Sequence, residues 1–465
     1  MSGLGRQLGA VSGGLLLTFC GGIHIGWSIY HLNMPGNEWA VGITVQKYRF
    51  AVLSFFTGVV AALVLLGQVK DLLSNRIWLM ASAFFFLING VLFAILPINY
   101  VVTVTSRVVA GLGHGVAHTI MLIYSGEITL KQFRAKFIAI LTASIIAGIT
   151  VFSLISMVTT NHTYTVEPNM HPNRAFGIII MPFSCIAGVL IFFFMVESPI
   201  HVLWRLENEA LARQNLRILR NDPTKAESIG EEFNEIELLV RRTNSHPMEN
   251  RLYYTEGNLE VFSFCGSLKV GNLLVFNYTM NMAKMLSVSA IFETTPVSHN
   301  WGPSILVLSK LVAAVIAIFS IDLLPRRFQY TISTFVTAAL LVALAIMSET
   351  LEHLEPWIIP LMYTIAEVCS ALGMLPMADI LTSEVFPLPK KAMSVVGVLI
   401  CEYLGHMIVF ILDFTFPTTT DGNAETVIMN GILLLECLYV YFKIPDTRNA
   451  SLDDTIFKFV VFGSK

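Results

Sequence analysis

Two sets of charged residues stand at matched spacings in the two halves of the chain, and their chemistry is that of ion pairs that form and break. Asp71-Leu-Leu-Ser-Asn-Arg76 returns 251 residues later as Asp322-Leu-Leu-Pro-Arg-Arg327. Glu127, with Arg134 seven residues on, returns 257 residues later as Glu384 with Lys391. Anchoring a membrane helix needs cations alone, so a duplication that keeps acids and cations at shared offsets asks for more. It suits a polar interface that two halves make in one state and part in another. Asp71, Arg76, Glu127, Arg134, Asp322, Arg326, Arg327, Glu384 and Lys391 are therefore the candidate gating set. Exposed pairs contribute about 0–1 kcal/mol each, and several together bias an equilibrium of a few kcal/mol. Lys131, Lys136 and Lys390 read as positive-inside anchors.

A second group lies inside apolar runs of the second half: Lys284, Asp379 and Glu402. An unpaired charge in hydrocarbon costs several kcal/mol, so each is a candidate for function. Two readings stay open. Lys284 pairs with one of the acids as a buried structural bridge, or Asp379 or Glu402 faces a cavity and meets a polar or cationic solute or carries a proton. His24, His114, His118 and His406 also fall in apolar runs, where packing is the commoner role. His114 and His118 are one helical turn apart on one face, with no third ligand for a metal. The six cysteines are scattered without metal-ligand spacing, and no phosphate loop or nucleophile elbow is present, so neither enzyme chemistry nor a cofactor is expected.

The elements that must position these groups are membrane helices. A composition of 55% hydrophobic and 13% charged residues, with mean hydropathy +0.69, leaves too little polar surface to coat a soluble globule. A net charge of −3 offers no basic field for nucleic acid. Runs of about 20 apolar residues, enough to cross roughly 30 Å of hydrocarbon, fall near 11–32, 50–69, 77–97, 99–125, 136–158 and 175–196. Six more fall near 263–292, 302–322, 328–347, 356–380, 392–414 and 426–443. The expected organisation is a six-helix bundle over 1–196, a linker with short amphipathic helices over 197–262, a second bundle over 263–444 and a tail over 445–465. No cleavable signal is read at the start.

Lys and Arg gather on one side, in the clusters above, the linker and Lys443/Arg448, and the other side carries mainly Glu and Asp. Lys47, Arg49 and Arg174 are the exceptions. Both termini are therefore expected in the cytoplasm, which leaves Asn161-His-Thr as the one glycosylation sequon on an outer loop. Glycines 111, 113 and 115 read as sites of close helix approach. Arg107 is expected to snorkel, to pair structurally or to meet solute.

The chain resembles the sugar porter family of the major facilitator superfamily, and within it the insect facilitated trehalose transporter-like group. Gly22-Ile-His-Ile-Gly-Trp27 looks like that group's opening, and the run from Arg107 through Gly111, Gly113, Gly115 and Tyr124 to Glu127 matches the family's helix 4 signature. Glu197-Ser-Pro199, Asp322 to Arg327, Ser383-Glu-Val-Phe-Pro387, and Pro445-Asp-Thr-Arg448 with Ser451-Leu-Asp-Asp454 resemble its further marks, in order. The resemblance implies an all-α membrane protein of about twelve helices in two pseudo-symmetric bundles. It further implies a carrier of a small polar solute, a hexose or trehalose, working by alternating access. A plasma-membrane monomer with the lipid bilayer and the solute as partners is expected.

The family's sugar-binding positions are where the chain departs. They fall on Thr142, on Phe276 and Asn277, on Met282 beside Asn281, on Leu375-Pro-Met-Ala-Asp379 and on Glu402-Tyr403. The candidate solute contacts are then Thr142, Asn277, Asn281, Asp379, Glu402 and Tyr403, with Lys284, Asp379 and Glu402 as candidates for coupling. Two other functions remain open on the same fold: a proton-coupled carrier of a different or charged solute, and a non-transporting solute sensor.

Overall fold

The computed structural model describes residues 3–33, 44–160, 171–221, 226–245, 261–273, 275, 301–350, 358–415, 422–443 and 445–463. No strand occurs among the described residues. The first half supplies α1 (Gly3–Asn33), α2 (Val45–Val69), α3 (Asn75–Ile95), α4 (Tyr100–Ile128), α5 (Arg134–Thr160) and α6 (Pro172–Phe194). The linker holds α7 (Pro199–Arg205), α8 (Glu209–Arg220) and α9 (Ala226–Ser245). The second half supplies α10 (261–273), α11 (Trp301–Ser320), α12 (Arg326–Thr350) and α13 (Ile358–Cys369). A π turn (Ser370–Met374) carries α13 into α14 (Leu375–Glu384), followed by α15 (Leu388–Thr415), α16 (Gly422–Lys443) and α17 (Leu452–Gly463).

Nine helices among the described residues are long and apolar enough to cross a bilayer, and Ser304–Ser320 and Gly431–Phe442 are shorter apolar helices. The expected seventh span continues past α10, so Asn277, Asn281 and Lys284 lie outside the described residues, as does Asn161.

Local chemistry sets the helix starts. Asn99 accepts a bond from the Val102 amide at 3.2 Å to cap α4, and Ser198 caps α7 ahead of Pro199, whose missing N–H costs nothing at that position. Glycine then sets how closely the helices lie. A Cβ on Gly22 of α1 would fall 2.1 Å from the Ile145 carbonyl of α5, and one on Gly148 of α5 would fall 2.1 Å from the Phe19 carbonyl. Gly58 of α2 and Gly111 of α4 face each other in the same reciprocal way, at 2.2 and 2.1 Å from the opposing carbonyls. Backbones that touch like this gain dispersion contact that lipid cannot supply.

In the second half the break between α13 and α14 has a definite cause. Pro376 lacks an N–H and its ring crowds the carbonyl four residues back, which widens the helix into a π turn. Hydrocarbon offers no water to the freed carbonyls, and neighbouring side chains satisfy them. Gln329 of α12 donates to Leu372 O at 3.0 Å, Asn272 of α10 donates to Met374 O at 3.1 Å, and Ser333 bonds Cys369 O. The turn leaves Asp379 buried one helical segment above the charged end.

The two halves meet along α2 with α15 and along α5 with α11 and α14. Ser153 and Ser304 hydroxyls lie 2.8 Å apart across the second of these seams. Below the bundles, α8 buries Ala212, Leu216 and Leu219. In the apolar cluster of this layer, Ala212 and Leu216 join Phe233, Ile236, Leu239 and Val240 of α9, Leu388 of α15 and Leu452 and Ile456 of α17. The amphipathic linker helices thus tie the two halves together on one face, which we call the linker face.

Candidate functional site

Four charged residues at the linker face cross the bundle interface. Lys391 Nζ of α15 lies 3.3 Å from Glu127 Oε1 of α4, with both side chains about 5% exposed or less. Arg134 of α5 lies 3.9 Å from Glu384 of α14. Glu384 is also held within its own half by Arg326 of α12, and Ser198 at the head of α7 donates to Glu127 Oε2 at 2.7 Å.

The rest of the expected set is arranged differently. Asp71 pairs with Arg205 of α7 and, at 3.5 Å, with Lys70, so it anchors a linker helix. Arg76 bonds the Phe192 carbonyl and sits 5.0 Å from the Phe192 ring centre. Arg327 is exposed, 4.9 Å from the Phe328 ring centre. Asp322 makes no ion pair among the described residues; burial pushes its carboxyl up, more than Arg326 and Lys136 pull it down. The reason for the asymmetry is one residue. At the offset of 251 residues, Arg326 corresponds to Asn75. Asn75 has no charge to give Glu127 and instead donates to Glu197 at 2.6 Å, so Glu127 lacks the same-half arginine that Glu384 has and keeps only its partner across the interface.

Deeper between the bundles, Lys269 of α10 sits between two acids. It pairs with Asp379 of α14 and, at 2.9 Å, with Glu402 of α15. Thr142 of α5 reaches across from the first half to donate to Asp379 Oδ2 at 2.6 Å. Lys269 and Asp379 are each 3% exposed and Glu402 is 18% exposed. Among the described residues one cation therefore faces two carboxylates in a water-poor site, and Glu402 is the more open of the two.

Beside this triad, Tyr403 of α15 meets α4. Its hydroxyl lies 2.7 Å from His114 Nε2 and 2.8 Å from His118 Nδ1. His406, one turn on, stacks on Phe56 of α2 with centroids 5.2 Å apart. The geometry brings Thr142, Asp379, Glu402 and Tyr403 into one polar cluster built from both halves.

Among the described residues the cation of that cluster is Lys269, which no motif marks; Lys284 lies outside the described residues. A second buried pair went unnoticed too: Lys310 of α11 and Glu367 of α13 at 2.7 Å. The rule that flagged Asp379, an ionisable residue inside an apolar run, applies equally to all three. Arg107 takes the structural option. It is fully buried, bonds Ala51 O at 3.1 Å and stacks 3.8 Å over Trp27, joining α1, α2 and α4. His24 bonds Asn89 at 2.9 Å as a packing histidine.

The arrangement of helices in two halves is one that known proteins share. Residues 17–456 match the family model described as Sugar (and other) transporter. The chain is 24% identical over 455 residues to Sugar transporter ERD6 of Arabidopsis thaliana, covering 96% of this chain and 85% of that one. It is 26% identical over 421 residues to the Galactose-proton symporter of Escherichia coli, covering 88% and 86%. The structure of the proton:xylose symporter XylE bound to 6-bromo-6-deoxy-D-glucose superposes with a TM-score of 0.79 at 17% identity, covering 97% of this chain and 98% of that one, which establishes the shared fold. With its two bundles, its crossed charges and a match over nearly its whole length, the chain belongs to the sugar (and other) transporter family of the major facilitator fold.

Proposed function

We propose that this protein carries a sugar, a hexose or trehalose, across the membrane by alternating access. The observation that carries the reading is that the polar cluster of Thr142, Lys269, Asp379, Glu402 and Tyr403 draws on both halves, while the crossed pairs Glu127–Lys391 and Arg134–Glu384 close the linker face beneath it. Rocking the first bundle, 1–196, against the second, 263–444, would part those pairs and open the cluster to the linker side. The linker face is the cytoplasmic one in this proposal, with both termini inside and Asn161 glycosylated outside. The trehalose transporter-like subgroup, the plasma membrane and a working monomer complete it. Uptake in a transporter-deficient host of glucose, trehalose, other sugars and organic ions, at two pH values, tests the proposal. Sugar-dependent flux is the expected result, and a chain that reaches the membrane yet moves none of the sugars would sink it.

The charge count favours one further feature, coupling to protons. With Lys269 against Asp379 and Glu402, the fully ionised triad carries one negative charge in excess, which a low-dielectric site resists. One proton on Glu402 removes it. Among the described residues the titratable groups near the triad are His114 and His118 on α4, Cys265 and Lys269 on α10, Lys310 on α11, Asp379 on α14, and Tyr403 and His406 on α15; Lys310 is already matched by Glu367. Relatives that are proton symporters support the feature by analogy. Acid-stimulated uptake separates it from simple facilitation.

A further inference from the structure

The Tyr403 hydroxyl has two partners, and both come from the opposite bundle. A phenol donates one hydrogen and accepts on its oxygen, so one of the imidazole nitrogens at 2.7 and 2.8 Å accepts from it and the other donates to it. A single sugar hydroxyl presents the same donor and acceptor pair. His114, His118 and Tyr403 are all 1% exposed or less, and the other ring nitrogens, His114 Nδ1 and His118 Nε2, make no hydrogen bond among the described residues. His406 Nδ1, whose ring centre lies 6.1 Å from that of Tyr403, is in the same condition. Buried polar atoms left without partners are costly; His114 Nδ1 packs against α1, and the other two, His118 Nε2 and His406 Nδ1, suit a ligand with several hydroxyls. Room for His114 is built in: a Cβ on Gly21 of α1 would fall 1.8 Å from its Nδ1, so α1 gives way there. The triad lies next in sequence and in space, since Glu402 precedes Tyr403 and Thr142 bonds Asp379. Twelve residues of α15 separate Tyr403 from the gate residue Lys391, about 18 Å along the axis, which puts the three rings near mid-membrane.

We propose that His114 and His118 are ligands for a hydroxyl of the solute, and that Tyr403 occupies their site as an internal stand-in until the solute displaces it. This rests on the sugar-carrier reading and deepens it. It explains how a chain that lacks most of the amide side chains at its family's sugar positions can still recognise hydroxyls: the recognising groups are imidazoles of α4. It also links binding to movement. The hydroxyl bridge joins α4 of one bundle to α15 of the other, so the solute that replaces Tyr403 removes a tie between the halves at the moment it binds.

The internal occupant and the ligands make opposite predictions. Binding of D-glucose and of trehalose is measured by calorimetry on the full-length purified chain in lipid nanodiscs. Tyr403→Phe keeps the ring and deletes the competing hydroxyl, so the dissociation constant of the sugar that binds should fall about three- to tenfold, the equivalent of one net hydrogen bond. His118→Ala should raise it by a similar factor, and His118→Asn, which keeps a donor and an acceptor, should restore part of the loss. Binding that appears only in Tyr403→Phe also supports the proposal. A Tyr403→Phe protein that binds sugar as the wild type does, or more weakly, overturns it while leaving the sugar carrier standing. No binding of either sugar to any variant overturns both.

Discussion

Lys391 of α15 and Glu127 of α4 lie 3.3 Å apart, and the repeat-related pair, Arg134 of α5 and Glu384 of α14, repeats the contact with the halves exchanged. Each acid meets the cation that stands seven residues after its counterpart in the other half. The contact is reciprocal, as a pseudo-twofold axis requires, and it can close only when both bundles come together at the linker face.

Breaking one partner of a buried pair leaves an unmatched charge, which costs about 3–5 kcal/mol, while neutralising both is far milder. Lys391→Ala alone is therefore expected to lower the melting temperature and the transport rate more than the double change Glu127→Gln with Lys391→Gln. Introduced cysteines at the linker face report the state: the single variant should label faster from that side. Equal damage in the single and the double variant would mean that the pair is not coupled.

Lys269 is expected to be indispensable in a conditional way. Lys269→Met strands two carboxylates among α10, α14 and α15, and the protein should fail to accumulate or lose most of its transport. Adding Asp379→Asn removes part of that excess, so the double variant should recover expression relative to Lys269→Met. Fluorescence-detected size-exclusion profiles of the two variants decide the matter.

Gln329 answers to the proline break. Replacing it with Ala leaves the Leu372 carbonyl without a donor in a stretch of helix that water does not reach, at a cost of about 1–3 kcal/mol. Thermal unfolding in detergent should shift down for Gln329→Ala. Restoring the missing N–H by Pro376→Ala in the same chain should return part of the loss, because the helix can then bond its own carbonyl.

What the sequence made legible follows from how local each signal is. The helices were readable because twenty apolar residues in a row are a local fact, and the candidate gating charges were readable because each acid and its cation repeat at a fixed offset. The pairing within the gate was not. Glu384 has Arg326 in its own half where Glu127 has Asn75 at the matching position, a difference visible in the repeat whose consequence depends on packing. Lys269 was harder still, since its partner Asp379 is 110 residues away in sequence and only folding brings the two together. The Tyr403 bridge to His114 and His118 spans more than 280 residues, and no spacing rule reaches so far. Pro376 was plain to read, whereas Gln329, which answers it from α12, was invisible until the helices were placed side by side.

Glu402 provides the test of coupling. If the triad takes up one proton during the cycle, uptake should rise as the external pH falls from 7.5 to about 5.5, because the protonated form relieves the excess negative charge beside Lys269. Glu402→Gln mimics that form permanently, so it should flatten the dependence and abolish uphill accumulation, while exchange of sugar down its own gradient continues. Tyr403 and Asp379 stay in place in this variant, so a general collapse of the site is not expected. Proton uptake accompanying sugar entry into weakly buffered vesicles reads the stoichiometry directly. A wild type with no pH dependence would leave simple facilitation as the mechanism, and a slope that survives Glu402→Gln would move the proton to another residue.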